Sequence, residues 1–259
     1  MEINTKVWML AWLLSVARLL GVFLASPYLG KANLPGFTRN AIVMILAGVS
    51  VPIVMDQISD IPYDALTILG LIIKEMILGF FMGYFFSIPF WAASSSGFWI
   101  DLQRGVMSAQ LFSPSTGDMT SPLGQFISRI YVVLLFSTGG FLMMFEVILL
   151  SYKVWPVDTF IPHFNMESVS VVLQQFDLIM YTMVLLACPI IIIMFIAEIG
   201  GAIIGRDIPE LNIFLLLMPI KSGIALLLLT LYIAFVGKFF KESFLTFGET
   251  FKVLDHLVR

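Results

Sequence analysis

The sequence predicts an all-α integral membrane protein built from kinked and tilted helical hairpins. Hydrophobic residues make up 59% of the 259-residue chain, its mean hydropathy is +1.00, and 12% of its residues are charged. Soluble domains carry about 25% charged residues, and a spanning helix needs about 20 apolar residues to cross about 30 Å of hydrocarbon. Residues 76–100 and 178–197 contain no charged residue, and residues 7–30 contain only Arg18. We expect these three segments to lie in a membrane.

The first helix is predicted over residues 7–26, ending near Pro27. We expect it to be retained, because Arg18 interrupts what would be the apolar core of a signal peptide. A loop with Gly and Pro follows at residues 30–38. The next apolar stretch, residues 41–55, would span only about 22 Å as a helix, which predicts a segment tilted against protein.

The rest of the chain alternates long apolar segments with polar breaks. An apolar segment over residues 65–100 contains Pro89, which we expect to kink or break a helix. Residues 112–124 read FSPSTGDMTSPLG, a composition that does not continue a helix. The remaining predicted segments are a helix at 130–150, a polar stretch at 152–177, helices at 178–205 and 211–237, and an amphipathic interfacial tail at 238–259.

Several charges lie in or beside the apolar helices, where each costs about 2.5–3.5 kcal/mol at mid-bilayer. The set must therefore face protein, water or the interface. For Glu75 and Glu198 we favour burial. For Arg104 and Lys221, burial and placement at a helix end remain equally open. The charged residues are Arg18, Glu75, Asp101, Arg104, Glu146, Glu198 and Lys221.

Glycines accompany these charges at every fourth position, which places them on one helix face. The sets are Glu75, Gly79 and Gly83, then Gly97, Asp101 and Gly105, then Gly201 and Gly205. The first two sets would form one continuous stripe if Pro89 does not rotate the helix. Such stripes let helix backbones approach closely, so they predict helix packing without identifying the partner.

The sequence lacks the motifs of several function classes. It has no nucleotide-binding glycine loop and no nucleophile elbow, and Cys188 and two distant histidines predict neither a disulfide nor a metal cluster. With a net charge of −3 and scattered basic residues, nucleic-acid binding is not expected. No cofactor is predicted. A secondary transporter remains the main alternative, although no inverted repeat is visible, and an intramembrane enzyme is a more distant one.

Three blocks resemble the FliR/SpaR/SctT family of type III export-gate proteins. The main block, residues 197–223, reads AEIGGAIIGRDIPELNIFLLLMPIKSG, and the others are KEMILGFFMG at 74–83 and GFWIDLQRG at 97–105. One departure is Ser113-Pro114, where the family often has Asp-Pro. The family positions in the main block fall on Glu198, Gly201, Gly205, Arg206, Pro209, Asn212, Pro219 and Lys221.

The resemblance implies a single export-gate membrane domain over residues 1–259, crossing the bacterial inner membrane several times. It implies one copy that completes a helical ring with FliP/SctR-type and FliQ/SctS-type subunits, with unfolded proteins threaded through the channel. Contacts with lipid, with FlhB/SctU-type and FlhA/SctV-type export proteins and with an inner-rod protein are also implied. No enzymatic activity is implied.

The family likeness also assigns roles to residues. The loop at 112–124 resembles the segment that plugs the closed channel, although an ordinary interhelical loop is the alternative. Its plug residues are Phe112, Ser113, Pro114, Gly117, Met119, Pro122 and Gly124. Helix packing and subunit contacts fall on Arg18, Glu75, Gly79, Gly83, Gly97, Asp101, Gly105, Glu198, Arg206, Pro209, Asn212 and Lys221. The run at 120–124 favours an injectisome over a flagellum.

Overall fold

A computed structural model describes residues 5–30, 35–58, 64–106, 121–159, 166–207 and 213–245. Over these ranges the chain is helical and contains no strand, which confirms the all-α prediction. A short 3-10 helix lies at Pro27–Leu29. The helices are α1 (Thr5–Ala25), α2 (Gly36–Met55), α3 (Ala65–Arg104), α4 (Pro122–Ser137), α5 (Gly140–Val154), α6 (Met166–Asp207) and α7 (Ile213–Leu245).

Helix α2 is longer than predicted. It begins at Gly36 directly after Pro35, five residues before the apolar run that defined the prediction. Polar residues such as Thr38 and Asn40 fill its first turns, so an apolar count alone misses them. The resulting 20 residues reach about 30 Å, which corrects the expectation of a segment too short to cross.

Proline interrupts none of the long helices. Pro89 lies inside α3, a continuous helix of 40 residues, so the expected break is wrong. Pro189 and Pro219 lie in the same way within α6 and α7. A proline removes one backbone donor, and membrane helices tolerate this where neighbouring groups satisfy the freed carbonyl.

The predicted helix at 130–150 is in fact two helices. Helix α4 ends at Ser137, and its C-cap Thr138 donates both its amide and its hydroxyl to the Leu134 carbonyl, at 2.9 and 2.8 Å. Gly139 then takes the left-handed φ of 79° that favours glycine. Helix α5 starts at the next residue. The Thr-Gly-Gly sequence at 138–140 could have indicated this break, but it lies inside an apolar run that resembles one continuous helix.

The last two helices also extend past their predicted ends. Helix α6 starts at Met166, inside the stretch predicted to be polar and irregular. Helix α7 continues to Leu245, so the tail predicted at 238–259 does not begin as a separate element. Within that overlap Phe240 is buried while Lys238 and Glu242 are exposed. Residues 246–259 lie outside the described part of the chain.

Within the described ranges, five helices are long and apolar enough to cross a membrane: α1, α2, α3 and the main parts of α6 and α7. Helices α4 and α5 pass the same test only when they are taken together. The apolar segments that predicted membrane crossing therefore correspond to spans in α1, α3 and α6.

The chain divides into two compact units. The first comprises Met1–Ile88, Gly139–Gln175 and Phe244–Arg259, and the second comprises Pro89–Thr138 and Phe176–Ser243. In the first, an apolar core of α1, α2 and α3 residues includes Leu14, Val54 and Leu71. In the second, the buried Tyr131 ring lies edge-on to the rings of Phe90 and Phe240, at 5.8 and 5.2 Å.

Candidate functional site

Helices α1 and α3 are in backbone contact in the first unit. A Cβ atom added at Gly79 would clash with the carbonyl oxygen of Arg18, and one added at Gly83 would clash with that of Val22. From the opposite side, a Cβ atom at Gly21 would clash with the carbonyl oxygen of Met76. The close packing predicted for Gly79 and Gly83 is therefore present. Gly21, which sequence reasoning did not single out, completes the contact from α1.

This contact brings Arg18 beside Glu75, and both side chains are fully buried. The Arg18 Nε donates to Glu75 Oε2 at 2.5 Å. Its Nη1 donates to Ser151 Oγ at 2.9 Å, and its Nη2 donates to the Trp155 carbonyl at 3.1 Å. The guanidinium carbon lies 3.8 Å from the centroid of the Tyr152 ring. One guanidinium thus joins α1, α3 and the end of α5.

Two further side chains hold the chain after α5. The Lys74 Nζ lies 2.8 Å from Glu75 Oε1 and donates to the carbonyls of Pro156, Val157 and Thr159 at 3.0–3.1 Å. The Gln57 side chain donates to the Tyr152 carbonyl at 2.9 Å and accepts from the Val157 amide at 3.1 Å. Each of these carbonyls and amides therefore has a side-chain partner.

We call Arg18, Gln57, Lys74 and Glu75 the clasp. It contains two cations and one carboxylate, all buried. Cations beside the last carbonyls of a helix are favourable because the helix dipole is negative there. Lys74 adjoins Glu75 inside an apolar run, and this was a usable signal for its role. Gln57 gave no signal, because its partners lie about one hundred residues further along the chain.

The tyrosine that follows α1 is buried in the same unit. The Tyr28 hydroxyl donates to the Met144 sulfur at 3.1 Å, and burial raises the pKa of this phenol. The phenol therefore stays protonated throughout the physiological range. Its role is in packing the first unit.

Asp101 organises the second unit. Its Oδ1 accepts from Arg104 Nη1 at 2.7 Å. Its Oδ2 accepts from Ser121 Oγ at 2.7 Å and from the Leu123 amide at 2.8 Å. The carboxylate is fully buried, and it lies at the amino-terminal end of α4, where a negative charge is favourable.

The start of α4 corrects the carboxyl-terminal boundary of the predicted plug loop. Ser121 caps the helix by accepting from the Gly124 amide at 2.8 Å. Pro122 and Gly124 therefore lie in the first helical turn. A Cβ atom at Gly97 would lie 2.5 Å from the Gly124 Cα, so these two glycines let α3 and α4 touch. The other plug residues, Phe112, Ser113, Pro114, Gly117 and Met119, lie outside the described residues.

A further ion pair links α6 and α7. The Lys221 Nζ lies 3.4 Å from Glu198 Oε2, which also accepts from Gln103 Nε2 at 3.0 Å. The Lys221 side chain is 6% exposed and that of Glu198 is 37% exposed. Arg104 Nε donates to Ser222 Oγ at 3.4 Å. Lys221 is thus buried, Arg104 is partly buried at the end of α3, and Glu198 is less buried than expected.

The remaining predicted packing residues differ from Gly79 and Gly83. Cβ atoms at Gly201 and Gly205 would meet the side chains of Leu217 and Ile213, not backbone. Gly105 has a φ of 81° and faces the Met218 side chain. Arg206 is exposed at the end of α6, and Glu146 is exposed on α5. Pro209 and Asn212 lie outside the described residues.

The polar contacts described above are mainly ion pairs and helix caps, and Glu75 and Asp101 belong to separate networks along α3. Within the described ranges, no group of three or more His, Cys, Asp or Glu side chains is arranged to hold a metal ion. These networks hold the helices in place through ion pairs and hydrogen bonds. Each carboxylate of the two main networks, Glu75 and Asp101, contacts at least one basic side chain.

Comparison with known proteins gives one consistent result. The profile of the family described as "Bacterial export proteins, family 1" matches residues 9–247. The "Yop proteins translocation protein T" of Yersinia pestis is 41% identical over 225 residues, which are 86% of each chain. The "Surface presentation of antigens protein SpaR" of Salmonella typhimurium is 28% identical over 220 residues, 85% of this chain and 81% of that protein. The "Flagellar biosynthetic protein FliR" of Bacillus subtilis is 24% identical over 249 residues, 96% of this chain and 95% of that one.

Proposed function

The chain belongs to family 1 of the bacterial export proteins, and we propose from this that it is a structural channel subunit of a type III export gate. Its homologues are components of type III secretion and flagellar export systems. With five apolar helices, it is a multi-pass protein of the bacterial inner membrane. In the proposed role it lines a passage through which unfolded proteins cross that membrane.

The observation that carries this proposal is the apolar surface that the chain leaves open on its long helices other than α1. Of the most apolar 18 residues in α1, the chain itself buries 61%, but in α6 it buries 28% and in α7 it buries 22%. Large side chains such as Ile203, Leu227 and Leu231 are exposed. A surface of this kind must be covered by lipid or by other subunits.

We propose that FliP/SctR-type and FliQ/SctS-type subunits cover much of this surface. The pairing of Lys221 with Glu198 supports this, because it leaves the middle parts of α6 and α7 with largely apolar exposed faces. FlhB/SctU-type and FlhA/SctV-type proteins and an inner-rod protein are further proposed neighbours. Since the proposed role is structural, we expect the purified chain to have no enzymatic activity and to be poorly stable alone.

The segment between α3 and α4 is the proposed plug of the closed channel. Its irregular composition, with Ser, Thr, Pro, Gly and Asp, supports this role, because irregular backbone at membrane depth occurs only where protein or a water-filled cavity surrounds it. The boundary at Ser121 limits the plug to residues 112–120, with Pro122 and Gly124 as part of its helical base.

We further propose that the system is an injectisome. The chain is 41% identical to a Yop translocation protein and 24% identical to a flagellar biosynthetic protein. The two relatives are matched over 86% and 96% of this chain, respectively. The difference in identity therefore does not arise from a short local match.

The test of the channel-subunit proposal uses a glycine that faces open space within the chain. No atom lies within 4 Å of a Cβ added at Gly223 of α7, so Gly223→Leu leaves the fold of the isolated chain intact. If a partner helix covers this face, the variant should co-purify with the FliP-type and FliQ-type subunits about tenfold less than the unaltered chain, because close helix packing excludes a large side chain.

The matched control is Thr230→Leu. This residue is exposed on the same helix but already carries a branched side chain, so a nearby partner helix has room there. We expect it to co-purify normally. Equal recovery of Gly223→Leu and the unaltered chain, with full secretion, would indicate that lipid covers this face and would contradict the assembly proposed here.

A further inference from the structure

We infer that Asp101 is the positioning residue that ties together both ends of the segment between α3 and α4. We call Asp101, Arg104, Ser121 and Leu123 the neck. Two of these residues precede the segment and two follow it. The consequence for channel sealing rests on the proposed function, whereas the tie itself rests on the neck alone.

One oxygen of the Asp101 carboxylate bonds to Arg104 within α3, and the other reaches across to the start of α4. Oδ1 accepts from Arg104, the last residue of α3. Oδ2 accepts from the Ser121 hydroxyl and the Leu123 amide at the start of α4. The start of α4 is therefore hydrogen-bonded to a carboxylate near the end of α3.

Burial makes the neck selective for a carboxylate. Asp101 is fully buried, and the Arg104 side chain is 13% exposed. A charge in such a site is retained only when its hydrogen bonds are complete, and hydrogen bonds to an ionised acceptor are shorter and stronger than neutral ones. An amide at this position would present a donor where one carboxylate oxygen now accepts, so it could not make all three of these hydrogen bonds.

The docking of α4 on α3 does not depend on the carboxylate. Gly97 and Gly124 hold the two helices in backbone contact one turn before Asp101. Ser128 Oγ also donates to the Gly124 carbonyl within α4 at 2.7 Å. Removing the carboxylate should therefore open the neck while α4 stays helical and in place. This separation makes the inference testable.

The experiment is hydrogen exchange of the Leu123 amide in the assembled gate. This amide donates directly to Asp101 Oδ2. In Asp101→Ala we expect exchange in residues 121–126 to be about tenfold faster or more, because a charge-assisted bond is lost, and exchange in residues 127–137 to be unchanged. Asp101→Asn should give a smaller increase in the same peptide, and it serves as the second variant if Asp101→Ala does not fold.

Glu146→Gln is the matched control, since it removes an exposed carboxylate that is not part of the neck. Unchanged exchange of residues 121–126 in both Asp101 variants would overturn the inference. Equally faster exchange along all of α4 would also overturn it, because Asp101 would then merely stabilise the helix.

Ion leakage through the gate, measured in the same variants, separates the inference from the proposed plug. Faster exchange with a leak supports both. Faster exchange without a leak keeps the neck but contradicts sealing by this segment. A leak with unchanged exchange overturns the neck and leaves the plug standing.

Discussion

At the scale of single residues, the clasp explains why a cation and an anion lie inside an apolar chain. Arg18 and Glu75 could be selected from the sequence because charges at membrane depth require partners. Their pairing could not, since it joins α1 and α3 across 57 positions. The roles of Lys74 and Gln57 depend on where the chain after α5 returns, and no local pattern encodes that return.

The charge count of the clasp predicts an order of stabilities. Glu75→Gln leaves Arg18 and Lys74 buried without a counter-ion, whereas Arg18→Met leaves a neutral Lys74–Glu75 pair. Leaving a buried charge unpaired costs about 3–5 kcal/mol, so Glu75→Gln should be the more destabilising change. Thermal unfolding of the purified gate in detergent measures this order. A larger loss for Arg18→Met would contradict the charge balance described for the clasp.

At the scale of elements, glycine periodicity was the most informative sequence pattern. It identified the face of α3 that meets α1, because a period of four residues marks one side of a helix. Helix ends were predicted less well. The start of α2 was missed because its first turns are polar. The break at Gly139 was missed because the residues on both sides of it are apolar. The second glycine set differs from the first because Gly97 meets a helix start rather than another helix's middle.

This packing predicts that even one methyl group at Gly79 is harmful. Its Cβ would clash with the Arg18 carbonyl, and backbone cannot rotate away as a side chain can. Gly79→Ala should therefore destabilise the chain by about 1–3 kcal/mol, the usual cost of overpacking. Gly48→Ala is the control, because nothing lies within 4 Å of a Cβ there. Unfolding in denaturant compares them, and equal midpoints would show that α1 and α3 are not in contact.

At the scale of the whole molecule, composition predicted membrane helices but not what covers them. Apolar side chains buried in lipid and apolar side chains buried in a partner subunit are the same in sequence. The fold class and the span of α1 follow from hydropathy alone. The neck could not be predicted from hydropathy. In the sequence, Asp101 is one more charge at a helix end, and only the structure shows its hydrogen bonds to Ser121 and Leu123.

Shortening the plug tests whether this chain forms part of a gated passage. The measurement is small-ion permeability of cells carrying a deletion of residues 112–120 in an otherwise complete gate. The neck and the helices lie outside the deleted residues, so assembly should persist while ions leak. Cells that also lack the FliP-type subunit are the control and should not leak, since no channel forms. Unchanged permeability with normal assembly would contradict the account.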